Sequence, residues 1–317
     1  MDTKLIVSAS PHVRSEETTQ SLMANVIVAL CPCVVASAII FGVRALLVTA
    51  VSVVACVAFE WLYCKLLKKP NPISDLSAVV TGIILAMNVP VGMPIGQLII
   101  GDLVAIIVVK QLFGGIGDNF LNPALLARAV LLASWPARMT GATAYALPTC
   151  WSGADAVTSA TPLAGYEANT MDLFLGNIPG SIGEVCKAAI LLGLIYLLVR
   201  RVISWRIPVT FLAVFAALSA LVGQNVLNEL LMGGVLFGAV FMATDYTTSP
   251  MNPRGQFIYA ALCGVLVCVI RNFGAYPEGV TYAILIGNIV TPLIDKYDKP
   301  RLYGRLKKQK KEGIANA

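Results

Sequence analysis

LMANVIVALCPCVVASAIIF, from Leu22 to Phe41, runs for twenty residues without one charged side chain. A stretch of about 20 apolar residues is long enough, as a helix, to cross the hydrocarbon core of a bilayer. The same pattern returns along the chain, near 44–64, 76–95, 97–114, 122–137, 184–203, 207–224, 228–244, 256–272 and 278–295. The fifth stretch is short and carries Arg128. The composition agrees: 57% of residues are hydrophobic and 13% charged, against roughly 25% charged in soluble domains. The expected fold is an all-α polytopic membrane protein of about ten transmembrane helices, one membrane domain over residues 1–317.

Basic residues give the orientation, because Lys and Arg collect in short cytoplasmic loops. With the N-terminus inside, Lys65, Lys68 and Lys69 fall inside, as do Arg200, Arg201, Arg206, Arg254 and the Lys-rich tail. The outside receives Arg44, Arg138 and Arg271. Both termini are therefore expected in the cytoplasm: residues 1–21 as a polar arm without a cleavable signal, and 296–317 as a basic tail. Beside a final apolar helix, such a tail marks anionic lipid rather than nucleic acid. The segment 138–183 is placed outside, and no Lys or Arg occurs between Arg138 and Lys187. Its Tyr145, Trp151, Tyr166, Leu173 and Phe174 make it too apolar for a disordered linker. It is expected to fold back on the membrane surface.

Several chemistries are excluded. His12 is the only histidine, so no histidine-based metal site can be built. The eight cysteines include no C-x-x-C pair, and most fall inside apolar runs, where a thiol packs as a small hydrophobe. Cys31-Pro32-Cys33 has the wrong spacing for a ferredoxin-type cluster. Ionisable groups within the apolar stretches include Glu60, Asp102, Lys110, Arg128, Glu184, Lys187, Glu229, Asp245 and Asp295. Such groups are costly in lipid and mark either a pathway or a paired site. Asp102 and Lys110 lie eight apart, on one helical face, and line an ion route or pack against neighbours. Gly114 to Asn119 and Thr244 to Pro250 close two apolar stretches on the inner side. They read as helix-ending turns or as two loops that hold a flavin ring. Asn122-Pro123 and Asn252-Pro253 form a short internal echo. It fits a duplicated transport fold or simply two helix starts.

One polar stretch in the outer segment stands apart: Asp155-Ala156-Val157-Thr158-Ser159-Ala160-Thr161. It resembles the Asp-x-x-Ser/Thr-Gly/Ser-Ala-Thr signature at which a flavin transferase joins FMN, through its phosphate, to a threonine. A threonine hydroxyl is a poor nucleophile, so an external enzyme must activate it. Ser159 and Ala160 are small enough to enter such an enzyme, and Pro162 stops a helix from burying Thr161.

Further stretches carry the same resemblance. They are Asp75-Leu76-Ser77-Ala78 with Thr81-Gly82, Leu112 to Gly117 with Asn122-Pro123-Ala124, and Asp155 to Leu163. Phe241 to Asp245, Arg271 to Gly279, Asn288 and Pro292 to Asp295 complete the set. Together they resemble the D subunit of the Rnf complex and its relative, the B subunit of the sodium-pumping NADH:quinone reductase. Ser159 stands where that family usually has Gly. The long N-terminal extension expected of the quinone-reductase member is not seen, which favours the Rnf member. The resemblance implies a ten-helix fold akin to urea and ammonium transporters, covalent FMN at Thr161 with Asp155, Thr158, Ser159 and Ala160 as the attachment motif, and a riboflavin. It implies a bacterial or archaeal cell-membrane complex that passes electrons from reduced ferredoxin to NAD⁺, coupled to Na⁺ or H⁺ export. Its other subunits would supply an outward FMN and iron–sulfur clusters, and a flavin transferase would mature the chain. Asp102 is the candidate on the ion pathway. The alternative is a stand-alone solute channel on the same kind of scaffold, which would have no use for Asp155 to Thr161.

Overall fold

Helices account for nearly all regular structure in the computed structural model, which describes residues 17–69, 72–140, 144–148, 158–159, 162–164, 169–274 and 279–298. Helices α1 (Thr19–Phe41) and α2 (Val43–Leu66) meet at Gly42, whose φ of 75° is open to glycine and strained for other residues. A Thr18 capping box starts α1, with Thr18 and Ser21 exchanging hydrogen bonds. Then follow α3 (Ser77–Met87) and α4 (Ile95–Leu103), which runs on as a π-type stretch, Val104–Gln111. Next come α5 (Pro123–Ser134), the short α6 (Pro136–Met139) and α7 (Thr170–Leu175). The second half holds α8 (Lys187–Val199), α9 (Arg206–Leu221), α10 (Val226–Leu231) and α11 (Val235–Phe237), the last extended by a π-type stretch, Gly238–Met242. Helices α12 (Pro253–Phe273) and α13 (Val280–Tyr297) complete it.

Each of the ten apolar stretches contains described helix, and three helices (α1, α2 and α12) are long and apolar enough to cross a membrane. Among the described residues, three stretches are broken within their length, the 122–137 stretch at Trp135 between α5 and α6. Helix α3 ends at Met87, and Asn88 to Val91 continue as buried irregular backbone, because Pro90 and Pro94 cannot extend the helix. The 228–244 stretch breaks between Leu231 and Val235, where Gly233 adopts φ 59°. Irregular backbone at this depth is tolerated only where protein or a cavity covers it. The cover here is the segment before α8: Gly183 N donates to Met87 O at 2.7 Å and Ile182 N to Val89 O at 3.1 Å.

The main apolar core draws residues from α1 through α13, and a small second cluster joins Cys56, Ala78 and Ile106. Helix α1 packs on α8, α2 on α3 and α4, and α9 on α12, which also packs on α13. Small residues set the closest approaches. A Cβ at Gly82 would stand 2.9 Å from Val53 Cα, so α3 meets the α2 backbone only as glycine. The periphery carries exposed Val35, Ile39, Val54, Leu192 and Val209. From the 138–183 segment, Leu173, Ile178 and Ile182 are buried in the main core.

Candidate functional site

Helix α2 presents Ser52, Cys56, Glu60 and Cys64 at four-residue intervals, all buried. That spacing puts them on one face, and the face meets α3 and α4. Ser52 Oγ lies 2.6 Å from Asp102 Oδ1 and 3.0 Å from Gly82 O, with one proton to give to either, and Cys56 Sγ donates to the same Asp102 oxygen at 3.3 Å. Two turns on, Lys110 Nζ reaches Glu60 Oε1 at 2.5 Å and Ser77 Oγ at 2.6 Å, while Gln111 Nε2 donates to Glu60 Oε1 at 2.8 Å. Both Ser52–Asp102 and Glu60–Lys110 join residues fifty apart. A constant offset means that α2 and α4 run parallel, in register, with α3 returning between them. Asp102 and Lys110 thus occupy one line but do not pair with each other. Asp102 is fully buried and its Oδ2 has no hydrogen-bond partner among the described residues; Glu60 Oε2 is in the same state.

The line opens at one end into a cavity of about 90 Å³. Its lining includes Lys110, Ser77 and Thr81, Ile116, Asn119 and Asn122, and Phe241, Thr244, Asp245 and Thr247. The two Gly-rich and Thr-rich loops singled out in the sequence are therefore neighbours, and Asn122 Nδ2 reaches Met242 O at 3.5 Å. Both are also turns. Asn122 caps α5, accepting from Ala124 N at 3.1 Å and Leu125 N at 3.3 Å, with Pro123 at the first helical position. Asp245 Oδ2 accepts from Thr247 and Thr248 at 3.1 and 3.2 Å. Asn119 Oδ1, which lines the cavity, is buried without a partner among the described residues. At the second half of the echo, Asn252 stands before Pro253 but turns its side chain to Asp298 O.

The attachment motif is described only in part. Asp155, Ala160 and Thr161 lie outside the described residues. The backbone of Thr158–Ser159 is extended and pairs antiparallel with Tyr145–Ala146. Beyond Thr161, Pro162–Ala164 make one tight turn, and Pro162 is buried. That turn sits over the break in the 228–244 stretch: a Cβ at Gly233 would meet Leu163 Cδ1 at 2.7 Å. Pro162, Gly180, Glu184, Lys187 and Gly233 enclose about 10 Å³, the scale of one water. Lys187 Nζ donates to Glu184 O and, at 2.9 Å, to Gly233 O. Glu184 Oε1 accepts from Ser181 N at 3.2 Å. Arg128 donates to Asn88 Oδ1 at 3.0 Å. Arg271 donates to Glu229 Oε2 at 3.1 Å and to Met232 O at 2.9 Å. Arg128, Glu184, Lys187 and Arg271 thus hold the two irregular segments in place.

A family model described as the NQR2, RnfD, RnfE family matches residues 6–304. The chain belongs to this family. It is 48% identical over 318 residues to the D subunit of the Na⁺-translocating ferredoxin:NAD⁺ oxidoreductase complex of Acetobacterium woodii, covering 97% of this chain and 98% of that one. It is 39% identical to the D subunit of the proton-translocating ferredoxin:NAD⁺ oxidoreductase complex of Clostridium ljungdahlii, over 94% and 96% of the two chains. The D subunit of the ion-translocating oxidoreductase complex of Actinobacillus pleuropneumoniae matches at 33%, over 93% and 98%. Membership in the NQR2, RnfD, RnfE family covers α1 to α13, including the α2–α4 polar line, the inner cavity and the attachment segment.

Sequence reasoning placed Glu60 among the intramembrane acids but not opposite Lys110. The signal was present in the Ser52, Cys56, Glu60, Cys64 spacing, a polar stripe on an otherwise apolar helix. It also left Arg128, Glu184 and Lys187 without a common purpose, because their partners are backbone groups and side chains exposed by helix breaks.

Proposed function

We propose that this chain is the flavin-bearing membrane subunit of an ion-translocating ferredoxin:NAD⁺ oxidoreductase complex in a bacterial or archaeal cell membrane. FMN is joined through its phosphate to Thr161, and the complex exports Na⁺ or H⁺. The observation that carries this reading is nearly full-length similarity, at 48% identity, to a subunit so named, in a chain holding Asp155 to Thr161 intact. The reading extends to ten spans with both termini inside and the 138–183 segment outside, and to partner subunits that hold an outward FMN and iron–sulfur clusters.

The described flanks fit an attachment site. Extended backbone at Thr158–Ser159 suits a strand read by a transferase, and the buried Pro162 fixes where the segment leaves the surface. FMN, when bound, supplies reversible one- and two-electron transfer. The chain's residues do the rest: Gly233 leaves room for Leu163, and Lys187 and Arg271 hold the backbone beneath.

The inner cavity is the place for a riboflavin. Its polar groups suit a ring edge rich in donors and acceptors: Thr81, Thr244, Thr247 and the unpartnered Asn119 Oδ1. Its Val80, Ile84, Ile203 and Phe241 suit an apolar ring face. At about 90 Å³ it is smaller than the roughly 300 Å³ of ordinary ligand sites, so the two loops must part to admit the ring. Asp102, buried with one oxygen unpartnered, is the candidate on the ion route.

The test is ferredoxin-dependent NAD⁺ reduction and ion uptake in membrane vesicles. Thr161→Ala should stop both. Asp102→Asn should lower ion uptake while the covalent flavin remains. Normal electron transfer in Thr161→Ala contradicts the carrier role, and unchanged uptake in Asp102→Asn removes Asp102 from the route.

A further inference from the structure

Lys110 belongs to two places at once. Its side chain lines the inner cavity, and its ammonium is the ion-pair partner of Glu60, with side chains 2% and 0% exposed. A buried carboxylate keeps its charge only beside a compensating one. Glu60 has a second, unused position: Oε1 takes Lys110 and Gln111, while Oε2 is buried and unpartnered among the described residues. The groups around Glu60 are few. Lys110 and Gln111 face it from α4 and the Ser77 hydroxyl stands on α3. Cys56 and Cys64 stand one turn to either side on α2, α1 carries no charged residue, and Asp75 lies in the turn before α3. Beyond Cys56 the next carboxylate is Asp102.

We propose that Lys110 is a charge latch between the inner cavity and the α2–α4 line: negative charge arriving in the cavity draws its ammonium away from Glu60, and Glu60 takes up a monovalent cation in its place. The physics is competition for one positive charge. Each electron reaching a group in the cavity adds one negative charge beside Lys110. Attraction between unit charges a few ångströms apart is large in this low-dielectric setting, so the ammonium follows the charge. Glu60 is then an uncompensated buried carboxylate with one open oxygen, and a Na⁺ or a proton restores neutrality. One electron in and one cation in leave the net charge of the buried region unchanged. Oxidation returns Lys110 to Glu60 and expels the cation, with the Cys56, Ser52 and Asp102 line as its neighbour. The inference rests on the reading of the inner cavity as a flavin site.

The experiment is redox titration of the flavin in the purified complex, across Na⁺ concentrations at fixed pH and across pH at fixed Na⁺. The signal belonging to the cavity is the releasable flavin whose content falls in Asn119→Leu and Thr244→Val. In the wild type its midpoint potential should rise by up to about 59 mV per tenfold rise in the coupling cation, and the arm that moves it names the ion. In Glu60→Gln/Lys110→Gln the flavin that is retained should lose the cation dependence of its potential. A flat wild-type potential, or an undiminished slope in the double variant, overturns the latch while the flavin site stands. Absence of any releasable flavin sensitive to Asn119 and Thr244 overturns the cavity reading and the latch with it. Should the double variant fail to fold, Lys110→Arg decides. Its guanidinium grips the carboxylate in a fork, so the slope should shrink, and a wild-type slope refutes the proposal.

Discussion

At the scale of single residues, the most exacting feature is the Glu60–Lys110 pair, because each charge is tolerable in the core only through the other. Lys110→Met alone should cost about 3–5 kcal/mol, seen as a fall in the thermal midpoint of the purified protein. Glu60→Gln/Lys110→Met should recover most of that loss, since no uncompensated charge remains. Equal loss in the single and double variants would show that packing, not charge, sets the cost. The sequence alone put Asp102 and Lys110 on one helical face, and the structure keeps them on one line with separate partners fifty residues back. Periodicity reports which residues share a face. It does not report which helix that face meets, so the role of Glu60 stayed hidden. The reading of Thr161, which lies outside the described residues, rests instead on a contiguous motif that needs no tertiary partner.

Elements show the opposite balance. Each of the ten stretches picked by hydropathy contains helix, and three of those helices are long and apolar enough to cross a membrane, because lipid and protein interior both demand apolar side chains. Hydropathy did not find the breaks after Met87 and Leu231, because buried irregular backbone is as apolar in sequence as helix. Pro90 and Gly233 were the available signs. The second break joins the attachment segment to the bundle, and Gly233 is its pivot. An alanine there would carry φ 59° and place its Cβ 2.7 Å from Leu163 Cδ1 and 2.9 Å from an Arg271 nitrogen. Left-handed backbone costs a non-glycine residue roughly 1–2 kcal/mol, and overpacking adds about 1–3. Gly233→Ala should therefore lower the thermal midpoint and reduce the covalent flavin per chain, read by fluorescence of the denatured band. A variant with both values unchanged would mean that the turn after Thr161 does not depend on this contact. The Asn122 cap gives a milder case: Asn122→Ala should cost about 1 kcal/mol, measured in the same denaturation assay.

For the whole molecule, the account requires the attachment segment and the inner cavity on opposite faces of the membrane. The buried polar line runs from Asp102 to Lys110, at the cavity, and Pro162 sits instead over the break that Lys187 and Arg271 hold. In intact cells, an impermeant thiol reagent should label Cys150 as the sole cysteine, and should spare a single cysteine placed at Gln309. Reversed labelling would invert the orientation drawn from the Lys and Arg distribution. The direct test of the central claim is the intact mass of this chain, made in cells that carry the flavin transferase. The account predicts one phosphoester-linked FMN on the wild type and none on Thr161→Ala. Wild-type chain without an FMN adduct, or Thr161→Ala chain that still carries one, would contradict it.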